Sequence, residues 1–377
     1  MLTRRSLLRS LPAVALLPRT LWASPTTHKL FIGTGTGKTI TSKGIYLADW
    51  NPDGTLGPIT LAAEMQSPTF LALGRHSRHL YATSEVAEGQ AVAFTIASHT
   101  GQLTRLNAQS TQGNGPAHIA VSPNGRAAFA TNYGSGSLTS YTIAPSGELS
   151  PPVSHFQYAP IDAKPGHQQP HAHQATSSHD SRWLLVNDLG SDRIYIYRAD
   201  PLTGALTPAP QPFWQARFQS GPRHLAFHPN GRWVYNANEL DSTVDHLLWD
   251  NHHGTLTTAG AFTSTLPADY PAGHSTASEI LTSPDGNFLY VGNRGNESIT
   301  VLNIHPQTGA LTLAQLAPHG GKTARHIALS PTAAFLFIAC QDSNSIVILS
   351  RDATTGRLST PRHTYPIDSP QCLVFTT

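Results

Sequence analysis

The run Pro116-Ala-His-Ile-Ala-Val-Ser-Pro-Asn-Gly125 is followed by Arg126-Ala-Ala-Phe-Ala-Thr-Asn132, Leu138-Thr-Ser-Tyr-Thr-Ile143 and Gly147-Glu-Leu149. Short stretches rich in β-branched and aromatic residues, bounded by Pro, Gly, Asn and Ser, read as strands joined by turns. The unit is an inner strand at Ala117–Val121, a turn, a strand at Arg126–Asn132, a loop, a strand at Leu138–Ile143, a Gly-x-Leu turn and an outer strand. Its landmarks recur along the chain. Gly-x-Leu begins at Gly54, Gly101, Gly147, Gly204, Gly254, Gly309 and Gly356, with spacings of 47, 46, 57, 50, 55 and 47. A Ser/His-Pro-x-Gly turn stands at Ser122–Gly125, His228–Gly231 and Ser283–Gly286, with a degenerate copy at Ser330–Ala333. From Arg126 to Leu138, Arg182 to Ile194, Arg232 to Val244, Asn287 to Ile299 and Ala334 to Ile346 the distance is 12 residues each time.

No segment of helical length shows a 3.6-residue apolar period. Four-strand units of about 50 residues predict an all-β, seven-bladed β-propeller. The ends complete the count. Pro370–Phe375 matches an inner strand but has no strands after it. Lys29–Gly33, Gly44–Leu47 and Leu56–Glu64 are three strands lacking an inner one. Joined, they make the seventh blade and close the ring, which removes the free sheet edges. Residues 24–377 are therefore expected to be a single propeller domain.

Residues 1–23 are set apart from the fold. Arg4 and Arg5 precede a short apolar stretch, Leu11–Leu17, and Leu21-Trp-Ala-Ser24 follows. This is the pattern of a twin-arginine-like export signal, too short to span a bilayer, so an exported, periplasmic protein is expected without membrane insertion after signal removal. The segment holds four of the 24 basic residues and no acid, so the remainder carries 20 against 22 acidic residues. That balance, with no basic run in the body, excludes a nucleic-acid binder. Charged residues are only 12% of the chain, about half the usual share, while 39% hydrophobic residues suffice for a core. Two cysteines supply neither a disulfide framework nor a thiolate zinc site. A monomer is expected.

In an up-and-down blade, the approach to the inner strand and the loop leaving the second strand share one face of the disc. The Pro-x-Gly and Gly-x-Leu turns occupy the other. The first face should carry the chemistry, because its side chains converge on the central channel. Inner-strand positions in register are Phe70, His118, His173, His224, Glu279, His326 and Cys372, with a one-residue slip at His173. Arg223 and Arg325 precede two of the histidines. Second-strand exits are Ser84-Glu85, Asn132-Tyr133, Asp188-Leu189, Asn238-Glu239, Asn293-Arg294 and Cys340-Gln341. A single histidine at such a position more often ties loops together than does chemistry. Four histidines, a glutamate and two arginines around one channel are another matter, since burying them without partners or a ligand is costly. His118, His224, Arg294, Arg325, His326, Asn238 and Asn293 are accordingly candidates for substrate contacts.

Several of these segments carry a resemblance. Pro170-His-Ala-His-Gln174, Gly221-Pro-Arg-His-Leu-Ala-Phe-His-Pro-Asn-Gly231, Tyr235-Asn-Ala-Asn-Glu-Leu240, Glu279–Gly286 and Tyr290-Val-Gly-Asn-Arg-Gly295 resemble the seven-bladed lactonase family, from about residue 28 to the C-terminus. That family includes propeller 6-phosphogluconolactonases and carboxymuconate cyclases. The resemblance implies a cofactor-free lactone hydrolase, with His171 or His173, Arg223 and Glu239 as catalytic groups and Glu279 as a competing carboxylate. Such chemistry needs a base to activate water and a cation beside the nascent oxyanion. No Gly-x-Ser-x-Gly elbow occurs, which argues against a serine esterase. The expected partner is a small lactone, and the export signal favours an unphosphorylated sugar lactone. Two alternatives stand beside this: a lactonizing cyclase and a non-enzymatic propeller binding a partner or glycan. No metal is expected, although in His167-Gln-Gln-Pro-His171-Ala-His173 the two histidines at i, i+2, His171 and His173, could offer ligands, with Asp188 or Glu239 as a third.

Overall fold

A computed structural model of the chain describes residues 28–160 and 169–376; the export-signal pattern and His167 lie outside them. Seven antiparallel sheets form the ring, six of four strands and one of five. The seventh blade is assembled from both ends of the chain as expected: the order is Pro370–Phe375, His28–Thr34, Gly44–Trp50, Thr60–Glu64. Its outer strand begins later than the sequence suggested, at Thr60, because Leu56 makes only an isolated bridge to Trp50.

The repeated residues have a shared physical purpose, which is to dock each blade on the one before. All seven Gly-x-Leu glycines take φ between 67° and 92°, and Gly309 at 75° is typical. At six of them a Cβ would strike the side chain that opens the second strand of the preceding blade: Phe335, His79, Ala127, Trp183, Trp233 or Phe288. In three cases a tyrosine of that same strand donates its hydroxyl to the glycine carbonyl: Tyr81 to Gly147 at 2.9 Å, Tyr235 to Gly309 at 2.8 Å and Tyr290 to Gly356 at 2.9 Å. A left-handed φ with no room for a side chain leaves glycine as the only fit.

The apolar core lies between blades. The closing blade is gripped on both sides. Leu30, Ile32, Trp50 and Leu373 pack on Phe335, Phe337, Ile346 and Ile348, and Phe31, Ile45 and Leu47 pack on Leu80, Val92 and Phe94. The inner strands carry one further feature. Six of them shift register near their start, at Pro116/His118, Ala172/Gln174, Pro222/His224, Ala277/Ile280, Ala324/His326 and Pro370/Cys372. An extra residue in one strand re-aims side chains. The bulges place Ala117, His173, Arg223 and Arg325 in one structural register. His173 is thus equivalent to Arg223, and Gln174, not His173, is equivalent to His224; the apparent slip in the sequence is resolved by the bulge.

Candidate active site

On the face expected from the blade geometry, a cavity of about 240 Å³ is lined by Glu85, Ala117, Tyr133, His173, Glu239, Arg294 and Arg325. Three lining residues come from bulged inner strands and four from second-strand exits, so both kinds of loop contribute. The exits are pinned by buried asparagines. Asn132 Nδ2 donates to Ser137 Oγ (2.9 Å), Asn238 Nδ2 to Thr243 Oγ1 (3.0 Å) and Asn293 Nδ2 to Ser298 Oγ (3.1 Å). Each bond spans five residues and fixes the residue after the asparagine, namely Tyr133, Glu239 or Arg294. Asn238 and Asn293 are fully buried and spend their amides inside the sheet, Asn238 also on Asp245 and Asn293 also on Thr265 and Thr300. Neither lines the cavity; in sequence, buried loop pins and cavity residues share residue types at adjacent positions.

Below the cavity the channel holds a relay. Glu279 Oε1 accepts from His224 Nδ1 at 3.0 Å, and His224 Nε2 lies 3.0 Å from His173 Nδ1. Burial, then Arg223, lowers the proton affinity of both His173 and His224 far below the ordinary histidine range, so both rings are neutral at pH 7. The tautomers follow from the partners. A carboxylate only accepts, so His224 carries its proton on Nδ1 and offers a lone pair at Nε2. His173 must then donate from Nδ1, which leaves its Nε2 unprotonated. Nε2 has no hydrogen-bond partner among the described residues. His326 Nε2 stands 3.4 Å from the other oxygen of Glu279. His118 lies tilted against Phe70, with ring centres 4.0 Å apart, and meets His224 edge-on. These residues occupy the channel and do not line the cavity.

His171 and His173 are separated by function. His171 donates from Nδ1 to the Tyr133 carbonyl at 2.9 Å and stacks on the Tyr133 ring, 4.4 Å away and 15° from parallel. It supports a wall residue, and His173 is the wall.

Another part of the cavity lining is charged. Glu239 Oε2 lies 2.8 Å from Arg223 Nε and 2.9 Å from Arg294 Nη2. Burial works against ionisation of Glu239, but Arg294 and Arg223 outweigh it and hold the carboxyl below its ordinary range. Arg223 does not line the cavity. It is 2% exposed, and its contact with Glu239 is close but poorly aligned, so Nε and Nη1 make no hydrogen bond. Burial and neighbouring Arg294 lower its proton affinity, yet it stays charged at neutral pH. Arg294 also donates to the Ala277 carbonyl at 2.9 Å. Arg325 has no ion pair or hydrogen bond among the described residues. The cations that face the cavity are therefore Arg294 and Arg325, with Arg223 behind Glu239. Tyr133 and Glu85 complete the wall. Both stood at exits in register, but their residue types alone did not mark them as site residues.

A seven-bladed propeller with a histidine relay and an arginine pair at one mouth of its channel defines a class, and comparison with known proteins gives the family. A model described as lactonase, 7-bladed beta-propeller matches residues 29–375. The chain belongs to this family. It is 31% identical to the 6-phosphogluconolactonase of Bacillus subtilis over 282 residues, covering 73% of this chain and 77% of that protein. A 6-phosphogluconolactonase of Formosa agariphila is likewise 31% identical over 295 residues, covering 75% and 81%. Among solved structures, a periplasmic gluconolactonase of Pseudomonas aeruginosa superposes with a TM-score of 0.86 at 26% identity, covering 93% of this chain and 99% of that one. No helix among the described residues is long and apolar enough to cross a membrane.

Proposed function

We propose that the protein hydrolyses a sugar lactone by direct attack of water, with His173 as general base. The observation that carries this reading is the Glu279–His224–His173 relay, which presents an unprotonated Nε2 at a cavity that Arg294 and Arg325 also line. His173 takes a proton from water as its oxygen bonds to the lactone carbonyl carbon. The carbonyl oxygen becomes an oxyanion facing the guanidinium groups. Collapse of the adduct breaks the ring C–O bond, and the leaving alkoxide recovers the proton from His173. The product is an open-chain hydroxy acid. Glu279 offsets through His224 the positive charge that develops on the histidine pair, as a buried carboxylate does behind a catalytic imidazole.

Glu239 has a different part. A carboxylate held between two guanidinium groups is a weak base. Its contacts instead orient Arg294 and neutralise Arg223. The choice of His173 over Glu239 as base, and of Arg294 and Arg325 over Arg223 as oxyanion partners, revises the roles that the resemblance implied.

Turnover of a panel of δ-lactones followed by pH-stat tests this reading. Hydrolysis above the spontaneous rate is expected, with kcat/KM flat through neutral pH. The rate should fall only in acid, below the ordinary histidine range, because the base is lost when His173 binds a proton and its folded-state affinity is depressed. Absence of turnover on every lactone would contradict the proposal.

A further inference from the structure

We propose that a second cavity beside the reaction site binds the uncharged polyhydroxyl portion of the substrate and makes the enzyme selective for unphosphorylated sugar lactones; this rests on the lactone-hydrolase reading above. The reaction cavity alone, at about 240 Å³, falls below the roughly 300–1,000 Å³ usual for a ligand site. Glu85 and Arg325 also line a neighbouring cavity of about 360 Å³. The pair forms a shared wall, and a ligand occupying both spaces has a site of ordinary size.

The second cavity lies at the seam where the ring closes. Thr36 follows the amino-terminal strand His28–Thr34, Gln371 belongs to Pro370–Phe375, and Ser67 and Thr69 lead into Leu71–Leu73. Gln341 stands at the second-strand exit of the preceding blade. Thr69 and Gln341 add a hydroxyl-bearing and an amide-bearing side chain to its lining. Thr36 Oγ1 and Ser67 Oγ, 3.3 Å apart, add two further hydroxyls. Hydroxyl and amide groups on a cavity wall can donate to and accept from the hydroxyls of a ligand.

The charge pattern selects the ligand class. Among the described residues Arg325 is the one cation on this wall, and Glu85 stands beside it; every other polar lining group is a hydroxyl or an amide. A phosphate dianion is ordinarily met by several cations or a fork of N–H donors. Alternating hydroxyl and amide groups match the vicinal hydroxyls of a sugar chain.

The test compares kcat/KM for D-glucono-δ-lactone, its 6-phosphate ester and unsubstituted δ-valerolactone, using the protein itself and the variants Gln341→Leu and Thr69→Val. The native protein should prefer the unphosphorylated sugar lactone to both others. Each variant should lower the preference for it over δ-valerolactone by roughly 3- to 10-fold, the worth of one hydrogen bond, and mainly through KM. Comparing two substrates on one variant separates lost recognition from lost folding. Preference for the phosphate ester, or unaltered preference in both variants, would overturn the proposal while leaving the hydrolase intact. Failure of the native protein on all three lactones would overturn the hydrolase reading and the subsite with it.

Discussion

His173→Gln is expected to lower kcat/KM for lactone hydrolysis by about 10²–10⁴-fold, the usual worth of a positioned general base. The side-chain amide keeps a donor for His224 Nε2 and most of the ring volume, so the channel should remain filled. What is lost is the unprotonated nitrogen at the cavity. Glu279→Gln should cost less, because its amide oxygen can still accept from His224 Nδ1 and only the compensating charge disappears. Glu239→Gln should behave differently again. It leaves Arg223, 2% exposed, with no carboxylate against it. Breaking a buried pair from one side typically costs about 3–5 kcal/mol of stability. A fall in melting temperature should therefore accompany any loss of activity in Glu239→Gln and be much smaller in His173→Gln. Steady-state kinetics beside thermal melts of the three variants check this ordering. Full activity in His173→Gln would remove the relay from the mechanism.

The second large effect concerns the ring. Deleting Ser369–Thr377 should abolish the cooperative melting of the whole domain. Pro370–Phe375 is the inner strand of the seventh blade, paired with His28–Thr34 in the register Leu30–Phe375 to Gly33–Cys372. Its removal exposes an edge on residues 28–64 and takes Leu373 out of one inter-blade core and Cys372 out of another. Each strand of a closed ring is a neighbour to two blades, so the damage is shared around the circle. Differential scanning calorimetry of the truncated protein checks this. A native-like transition would mean that the ring does not depend on this closure.

The fold was legible because its determinants are local and repeated. A left-handed glycine at Gly147, an aromatic at Trp233 and a proline turn at Ser283 each report a turn or a docking contact without knowledge of the rest. The closing blade was readable for the same reason: Pro370–Phe375 repeats the pattern of Pro116–Val121. The site was legible only as far as position. Register brought His173, Glu239, Arg294 and Arg325 to one face, and the structure puts all four around one cavity. Roles depend on what a side chain meets several blades away in sequence. His224 reaches Glu279 and His173 across 55 and 51 residues. The bulge that aligns His173 with Arg223 adds a residue that simple counting treats as a slip. Whether Glu239 is a base or a clamp is decided by two arginines, one of them 55 residues away.

The tautomer of His173 tests the central claim most directly. Two-bond ¹H–¹⁵N correlation spectra of histidine-labelled protein at pH 7 report which ring nitrogen carries the proton. The relay requires Nδ1 protonated and Nε2 bare in His173, with the same tautomer in His224, and both rings neutral. A proton on His173 Nε2 at that pH, whether from the other tautomer or from a charged imidazolium, would contradict the assignment of His173 as the base.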